Sequence, residues 1–202
     1  MNAVTFLAAL PGQRSARWAA EAPVPVRTIH QYELDDAELA KTRVLLTTMH
    51  QDQRWLHARR GLLQEFISSG GTMVFQGQVV LSFLELLEPF QPMSKPTLND
   101  YQIEVLVPTH PIFSGVDPDT LNRRRGVAGF YARGSNPPPT EATVLTTLRQ
   151  GEFPVDWLLG LGKGRLFVHS GNDLWTTFHE PAENARLTGN LLRWATNEEN
   201  DP

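Results

Sequence analysis

The 202-residue chain contains no cysteine. This absence excludes disulfide bonds, thiolate metal sites and thiol nucleophiles together. An excess of positive charge is also lacking, because 18 lysine and arginine residues face 22 aspartate and glutamate residues, for a net charge of −4. Such a chain would not attract a nucleic acid or an anionic membrane surface. Neither kind of partner is therefore expected.

Long hydrophobic runs are scarce as well. The apolar segment near the N-terminus, Val4 to Leu10, is closed by Pro11-Gly12 and has no basic region before it. It predicts a buried first strand rather than a signal peptide, and no stretch reaches the roughly 18 apolar residues of a membrane span. We expect a cytoplasmic protein, and no motif calls for a cofactor or a metal.

The composition that is present is globular, with 41% hydrophobic and 20% charged residues. The length favours one domain over residues 1–196, followed by a polar tail over 197–202. The clearest unit lies between residues 44 and 75. A strand over Val44–Met49 precedes a helix over Asp52–Ser69, which Gly70-Gly71 ends before a strand over Thr72–Phe75. This order predicts a largely parallel sheet covered by helices. The apolar stripe of the helix is Trp55, Ala58, Leu62 and Phe66.

Weaker patterns complete the predicted fold. Further strands are predicted over Val24–Ile29 at an edge of the sheet, Tyr101–Val107, Gly126–Ala132, Ala142–Leu148, Val155–Leu159 and Arg165–Ser170. Further helices are predicted over Asp35–Lys41, Val79–Leu87 and Pro181–Ala195. A tight turn over Gly160–Gly164 joins the last two strands as a hairpin. The expected architecture is a flavodoxin-like three-layer α/β/α sandwich, with a mostly parallel sheet and an antiparallel hairpin extension.

Three segments, taken in order, resemble one known family. They are Leu62–Gly77 with its Gly-Gly pair before a strand, His110–Val116 (HPIFSGV), and Gly162–Val168 (GKGRLFV) followed by Asn172-Asp173 and the helix ending Leu191–Ala195 (LLRWA). Across residues 40–196 this order is similar to that of the class I glutamine amidotransferase-like superfamily, and within it to the trehalose-utilisation-type proteins. The resemblance implies the sandwich fold given above.

The resemblance also implies where the catalytic groups of that family would stand. Active members carry a cysteine on a strained strand-to-helix turn, and a histidine near the C-terminus with a glutamate two residues beyond it. Here the cysteine position falls on Phe75 or Gln76, the histidine on His169 and the glutamate position on Gly171. Two of the three groups are missing. Glutamine hydrolysis is thereby excluded, and a pseudoenzyme is expected.

The carboxyl ends of the parallel strands form the expected ligand crevice. Candidate catalytic groups there are His50, Asp52 and His169, and candidate ligand-binding groups are Gln76, Gln78, Asn172, Asp173 and Trp175. They could bind a sugar, orient water or hold a hard metal, although no third metal ligand can be assigned. Each also has a structural interpretation: a helix cap for Asp52, turn formation for Asn172 and Asp173, backbone hydrogen bonds for the glutamines, and burial for the histidines.

A long insertion between Pro89 and Pro139 has no clear helix and carries the run Arg123, Arg124 and Arg125. Guanidinium groups suit carboxylate and phosphate, and long irregular connections are usually functional or disordered. The arginine run is therefore a candidate partner-binding site, in a homo-oligomer or a larger protein complex. A solvated loop, or a lid over the crevice, is the alternative.

Two functions stay open. One is a non-catalytic amidotransferase-like module that binds a small polar ligand or a protein partner. The other is a hydrolase or carbohydrate-modifying enzyme that uses His50, Asp52 and His169. Convergence of His50, His169 and Asp173 around an open cavity would favour the enzyme. Filling of that space by Gln76 and Gln78 would favour the binding module.

Overall fold

The computed structural model describes residues 3–12, 17–180 and 182–196 of the chain. The predicted polar tail over 197–202 and Pro181 lie outside these residues. One eight-stranded sheet contains β1 (Ala3–Ala8), β2 (Val26–His30), β3 (Thr42–Leu46), β4 (Thr72–Gln76), β6 (Glu104–Val105), β8 (Thr143–Leu148), β9 (Phe153–Leu161) and β10 (Gly164–His169). Two short strands, β5 (Gln91–Pro92) and β7 (Gly134–Ser135), pair with each other in a separate sheet.

The large sheet has the strand order β2-β1-β3-β4-β10-β9-β8-β6. The five strands β2, β1, β3, β4 and β10 run parallel to one another. β9, β8 and β6 extend the sheet from β10, and each of them is antiparallel to the strand before it. β2 lies at one edge, as predicted. The predicted hairpin is also confirmed, because β9 and β10 meet at the pair Leu161 and Gly164. The chain is thus an α/β protein with a mostly parallel sheet and an antiparallel extension.

The helices of the described residues lie on both faces of this sheet. They are α1 (Asp36–Leu39), α2 (Gln53–Ala58), α3 (Arg60–Ser68), α4 (Pro118–Asn122) and α5 (Ala182–Thr196). Successive residues of a strand point to opposite faces. In β4, Val74 therefore joins the core that contains Leu191 of α5, whereas Met73 joins the core that contains Leu63 and Ile67 of α3. Two buried cores on the two faces of one sheet make the three predicted layers.

The predicted helix over Asp52–Ser69 is corrected to two helices. The backbone leaves the helical region at Arg59, with φ −112° and ψ 16°, so α2 and α3 are separate. The buried face of both helices also lies one residue further along the chain than the predicted stripe. Fully buried positions are Leu56, Leu63 and Ile67, whereas Leu62 is only partly buried and Ala58 is exposed.

Two further predictions around the insertion are wrong. The segment Val79–Leu87 is not helical, because the Gln53 side-chain oxygen accepts hydrogen bonds from the backbone N–H groups of residues 80 and 81. The segment Gly126–Ala132 is not a strand, because Gly126 and Gly129 have positive φ angles of 65° and 68°, which turn the chain. The strand predicted over Tyr101–Val107 is reduced to the two residues of β6.

Across residues 3–12, 17–180 and 182–196, no helix has the length and apolar character needed to cross a membrane.

Candidate functional site

The predicted crevice lies where β3, β4 and β10 end. Gln76 is the last residue of β4 and pairs in register with His169, the last residue of β10. On the other side of β10, His169 lies opposite Asp156 of β9. The sheet register therefore brings these three polar side chains together at the carboxyl edge of the strands, and all three are completely buried.

His169 is held at both ring nitrogens. Nδ1 lies 2.7 Å from the Asp156 carboxylate, and Nε2 lies 3.1 Å from the backbone carbonyl of Asn172. Both contacts are with oxygen atoms of the chain itself, so both ring nitrogens are engaged within the protein. Neither nitrogen is left to take a proton from a substrate, which is what a general base must do.

Asp156 is the centre of the buried network around His169. Its second oxygen accepts hydrogen bonds from the hydroxyl of Tyr131, at 2.7 Å, and from the hydroxyl of Thr146. Burial, followed by the charge of Asp156, raises the pKa of Tyr131 well above its ordinary value, so this hydroxyl stays a donor. Sequence reasoning missed Asp156 and Tyr131. The available signal was a carboxylate inside the otherwise apolar strand segment from Val155 to Leu159.

Gln76 is one of the two residues, with Phe75, on which the sequence resemblance places the nucleophile position. Its side-chain oxygen accepts a hydrogen bond from the backbone N–H of Leu174 at 2.5 Å, and its amide nitrogen has no partner among the described residues. Gly77, which follows, has a φ of 109°, and a β-carbon there would lie 2.7 Å from the backbone of Met49. The turn has a backbone conformation that favours glycine, and it packs against the neighbouring loop with no space for a side chain at position 77.

Asp173 ties the loop after β10 to the loop after β3. Its carboxylate accepts hydrogen bonds from the backbone N–H of Met49, at 2.6 Å, and from the hydroxyl of Thr48. Burial raises the pKa of Asp173, while these two hydrogen bonds and the charges of His50 and His169 act in the opposite direction and only partly offset it. Asp173 therefore joins two loops through its own carboxylate.

The loop after β4 is likewise held by hydrogen bonds between side chains and backbone. Gln53 accepts from residues 80 and 81, as noted above, and its amide donates to the carbonyl of Gln78 at 2.6 Å. Asn136 donates to the carbonyl of Gly77 at 2.7 Å and accepts from the N–H of Val79 at 2.9 Å. Asn136 was not predicted as a site residue, because a residue before three prolines gave no sign that it would be buried. These contacts close the crevice with the chain's own side chains.

The remaining predicted site residues do not converge on one centre. His50 and Gln78 are exposed. Asp52 caps α2 by accepting from the N–H groups of Arg54 and Trp55, as its structural interpretation predicted, and it also accepts from the Tyr32 hydroxyl at 3.0 Å. Within the described part of the chain, no three histidine, aspartate or glutamate side chains are grouped so as to hold a metal.

Trp175 and Asn172 also have structural contacts. Trp175 is corrected from a crevice wall to a core residue, because it is buried, stacks on Trp18 with ring centroids 5.0 Å apart and donates to the carbonyl of Thr47 at 2.6 Å. The Asn172 amide donates to the carbonyl of Phe130 at 2.7 Å. Neither side chain is directed to an open cavity by these contacts.

The arginine run divides between the interior and the surface. Arg124 is completely buried: its Nε lies 3.0 Å from the Glu180 carboxylate, and Nη2 donates to the carbonyl of Asp173 at 3.1 Å. The expectation that Arg124 contacts a partner is therefore corrected, since its charge is neutralised inside the protein. Burial opposes ionisation of Glu180, but the hydrogen bond and charge of Arg124 outweigh it and lower the pKa of Glu180. Arg125 also pairs with Glu180, at 2.9 Å.

Arg123 and Arg125 do reach the surface. They line a cavity of about 670 Å³, whose other lining residues are Asp117, Asp119, Thr120, His179, Glu180 and Asn184. Arg123 pairs with Asp119 at 3.3 Å, and both side chains of that pair are largely exposed. The cavity carries charges of both signs, so the run does not present a continuous cationic surface.

Comparison with known proteins yields the fold. No family model and no curated protein matches the chain. The solved structure "Cytoplasmic Protein STM3548" from Salmonella typhimurium matches with a TM-score of 0.58 and 13% identity, over 88% of this chain and 84% of that one. "Cytoplasmic Protein STM1381" from Salmonella typhimurium LT2 matches with a TM-score of 0.58 and 10% identity, over 96% and 98%.

A carbohydrate-active enzyme contains a similar unit. The exo-β-1,4-mannosidase Op5Man5 from Opitutaceae bacterium strain TAV5 matches with a TM-score of 0.51 and 12% identity, over 96% of this chain but only 36% of the enzyme. At such identities the likeness concerns the fold alone. The chain thus shares its α/β architecture with these proteins.

Proposed function

We propose that this chain is a non-catalytic amidotransferase-like module that acts by binding a protein partner or a small polar ligand. The proposal includes the trehalose-utilisation-type branch of that superfamily, which the sequence motifs resemble, and a cytoplasmic location. The location is supported by the printed descriptions of the two Salmonella proteins of similar fold as cytoplasmic.

One observation carries this proposal: the crevice at the strand ends is filled. The resemblance places Phe75 or Gln76 at the nucleophile position, and Gln76 hydrogen-bonds the backbone of Leu174. His169 stands at the base position with both nitrogens engaged by Asp156 and by the carbonyl of Asn172. A reaction needs a nucleophile or an activated water beside a free base. Neither condition is met by these contacts.

The retained polar groups have another use in this proposal. Buried polar networks whose members are all hydrogen-bonded hold one conformation of the surrounding loops. The network of His169, Asp156 and Tyr131, together with Asp173 and Gln53, would fix the loops at this edge of the sheet. The chain would then present a rigid surface to whatever it binds, which limits the entropy lost on association.

The second candidate is the hydrolase or carbohydrate-modifying enzyme. A single observation favours it: Asp173 binds the loop after β3, which carries His50, to the loop after β10, which follows His169, so polar groups of two segments lie near one another. Against it, His50 is exposed, Asp52 caps a helix and His169 is buried with both nitrogens engaged. The three proposed catalytic groups would have to abandon these contacts to act together.

The catalytic half of the proposal is tested by ammonia release from glutamine and by hydrolysis of p-nitrophenyl acetate. We expect rates equal to the buffer blank for the wild type and also for Gln76→Cys, which restores a thiol beside a histidine whose nitrogens are engaged. The matched control is His169→Gln. Hydrolysis by the wild type that disappears in His169→Gln would overturn the proposal and favour the enzyme.

The binding half is tested on protein purified under native conditions. Intact mass spectrometry and analysis of small molecules released on denaturation should reveal a stoichiometric partner or a polar ligand. A protein that carries neither, and that shows hydrolysis sensitive to His169→Gln, would contradict the binding function.

A further inference from the structure

A second concave surface lies beside the closed crevice. It is a groove of about 700 Å³ whose apolar lining is Val79, Val80, Pro89, Phe90, Pro92, Met93, Pro96 and Tyr101, with Gln78 and Arg133 as its polar members. We refer to these ten residues as the proline groove. Most of them belong to the segment that follows β4 and to the start of the insertion, which sequence reasoning selected as a partner-binding region.

The rim of the proline groove is apolar and exposed. Val80 is 78% exposed, and Leu81 beside it is 37% exposed. Leu98, two residues after Pro96, is 72% exposed. A single exposed aliphatic side chain is ordinary, whereas several around one groove mark a site of interaction.

The charges at the proline groove are unpaired in one copy of the chain. Arg133 is exposed, and its side chain donates a hydrogen bond to the carbonyl of Gly129, at 3.3 Å. No acidic residue lines the groove, and among the described residues Arg133 has no carboxylate partner. Glu88, directly before Pro89, is exposed and likewise forms no ion pair within the described part of the chain.

The apolar surface and the two charges at the proline groove are complementary to the same patch on a second copy of the chain. A two-fold axis places the same patch of two copies face to face, so that residue i contacts residue j and residue j contacts residue i. The proline groove supplies an apolar surface and the cation of Arg133, and Glu88, next to the lining residue Pro89, supplies an anion, so the same patch on two copies satisfies that condition. A small ligand with a carboxylate could neutralise Arg133, but it would leave Glu88 unpaired and the rim around Val80 exposed.

We propose that the proline groove is the contact surface of a homodimer, in which Arg133 of each copy pairs with Glu88 of the other. The inference deepens the partner-binding half of the proposed function and rests on it. Standard interfaces bury about 800 Å² on each copy, so the contact extends from the groove over Leu81 and Leu98. The apolar surface supplies the affinity, and the two symmetric ion pairs set the register.

The test is a charge exchange followed by light scattering and sedimentation over a concentration series. We expect the wild type to approach twice the monomer mass of 22.7 kDa. Arg133→Glu and Glu88→Arg, each alone, place like charges together and should weaken the dimer at least about tenfold. The double variant Arg133→Glu with Glu88→Arg restores opposite charges and should restore the dimer.

Two controls accompany this test. Arg123→Glu changes an exposed arginine that lies outside the proline groove and should leave the dimer intact. Val80→Asp introduces a charge at the rim and should give a monomer that no change at position 88 rescues. Circular dichroism melts of all variants establish that a monomeric variant is folded.

A wild type that remains at 22.7 kDa throughout the series overturns this inference. A dimer that survives both Arg133→Glu and Val80→Asp overturns it as well, since the contact would then lie elsewhere. Failure of the proposed function is seen separately, because hydrolysis sensitive to His169→Gln does not depend on any groove residue. A hydrolytically inert monomer would reject the homodimer alone.

Discussion

The closed crevice and the proline groove are neighbours that use polar groups in opposite ways. In the crevice, the carboxylates of Asp156 and Asp173 accept hydrogen bonds from the chain's own side chains and backbone. In the groove, Arg133 carries an unpaired charge among apolar side chains, and Val80 is open to water. Satisfied buried groups stabilise a fold, whereas unpaired charges and exposed apolar surface indicate association.

The contrast shows that a site should be sought where interactions are left unmade. The crevice has residues that a catalytic site would use, but Asp156, His169 and Asp173 are hydrogen-bonded within the chain, and of the described crevice residues it is Gln76 whose amide nitrogen lacks a partner. The proline groove has few catalytic residue types, namely Tyr101 and Arg133, yet it has interactions to offer. Variants in the crevice should therefore change stability, and variants in the groove should change association.

The largest effect is expected beneath the crevice, at the ion pair of Arg124 and Glu180. Glu180→Gln leaves the guanidinium of Arg124 buried without its counter-charge and should lower the free energy of unfolding by about 3–5 kcal/mol. Urea denaturation measures the loss. The control is Arg123→Gln, which removes an exposed charge in the same run and should not change the denaturation midpoint. Equal midpoints for Glu180→Gln and the wild type would mean that the pair is not buried.

A smaller loss is expected at the hydroxyl of Tyr131. Tyr131→Phe removes a buried hydrogen bond to Asp156 and should cost about 1–3 kcal/mol of unfolding free energy, because the carboxylate keeps only Thr146 and His169 as partners. Tyr32→Phe is the matched control, since it removes the hydroxyl of an exposed tyrosine that is bonded to the cap residue Asp52. We expect no measurable change there. A similar loss of unfolding free energy in both variants would contradict the difference in burial between the two tyrosine hydroxyls.

Much of the parallel half of the fold could be predicted from local pattern. The strands β1, β3 and β4 and the closing helix α5 follow from apolar runs and glycine or proline boundaries. The prediction failed where long-range hydrogen bonds override local preference. The segment Val79–Leu87 has the composition of a helix, but Gln53 and Asn136, from distant parts of the chain, bind its first N–H groups. No local pattern contains that information.

The crevice could be predicted in part. Parallel strands place their carboxyl ends together, so the proximity of Gln76 and His169 follows from the topology once the strands are known. The partners of His169 do not follow, because Asp156 reaches it through antiparallel pairing and Tyr131 comes from the irregular insertion. Burial of Arg124 between two exposed neighbours also required the tertiary structure, since a run of three arginines resembles a solvated loop.

The crevice also differs from the proline groove in containing a buried carboxyl group, Asp173, that makes stability depend on pH. Burial raises the pKa of Asp173 above its ordinary value of 3.8, so the folded protein holds this proton more tightly than the unfolded chain. The stability from this group is present at low pH and is lost as the pH rises from about 4 through the folded pKa. Asp173→Asn should remove this loss of stability with rising pH and keep the hydrogen bond from the backbone N–H of Met49. Urea denaturation midpoints of the wild type and the variant, measured from acid to neutral pH, would show this. The same pH dependence of the midpoint in both proteins would contradict it.

The smallest effect on the fold is expected in the proline groove itself. Arg133→Gln and Val80→Ser change exposed groups, and the monomer would lose at most the hydrogen bond from Arg133 to the carbonyl of Gly129, so at low protein concentration each should alter the unfolding free energy by about 0.5 kcal/mol or less. At higher concentration the wild type should gain stability, because dimer formation stabilises the folded state by mass action, and the two variants should gain less. Denaturation midpoints over a dilution series measure both effects. A variant that is destabilised equally at every concentration would show that its side chain stabilises the monomer, and the groove would then belong with the crevice as a part of the fold.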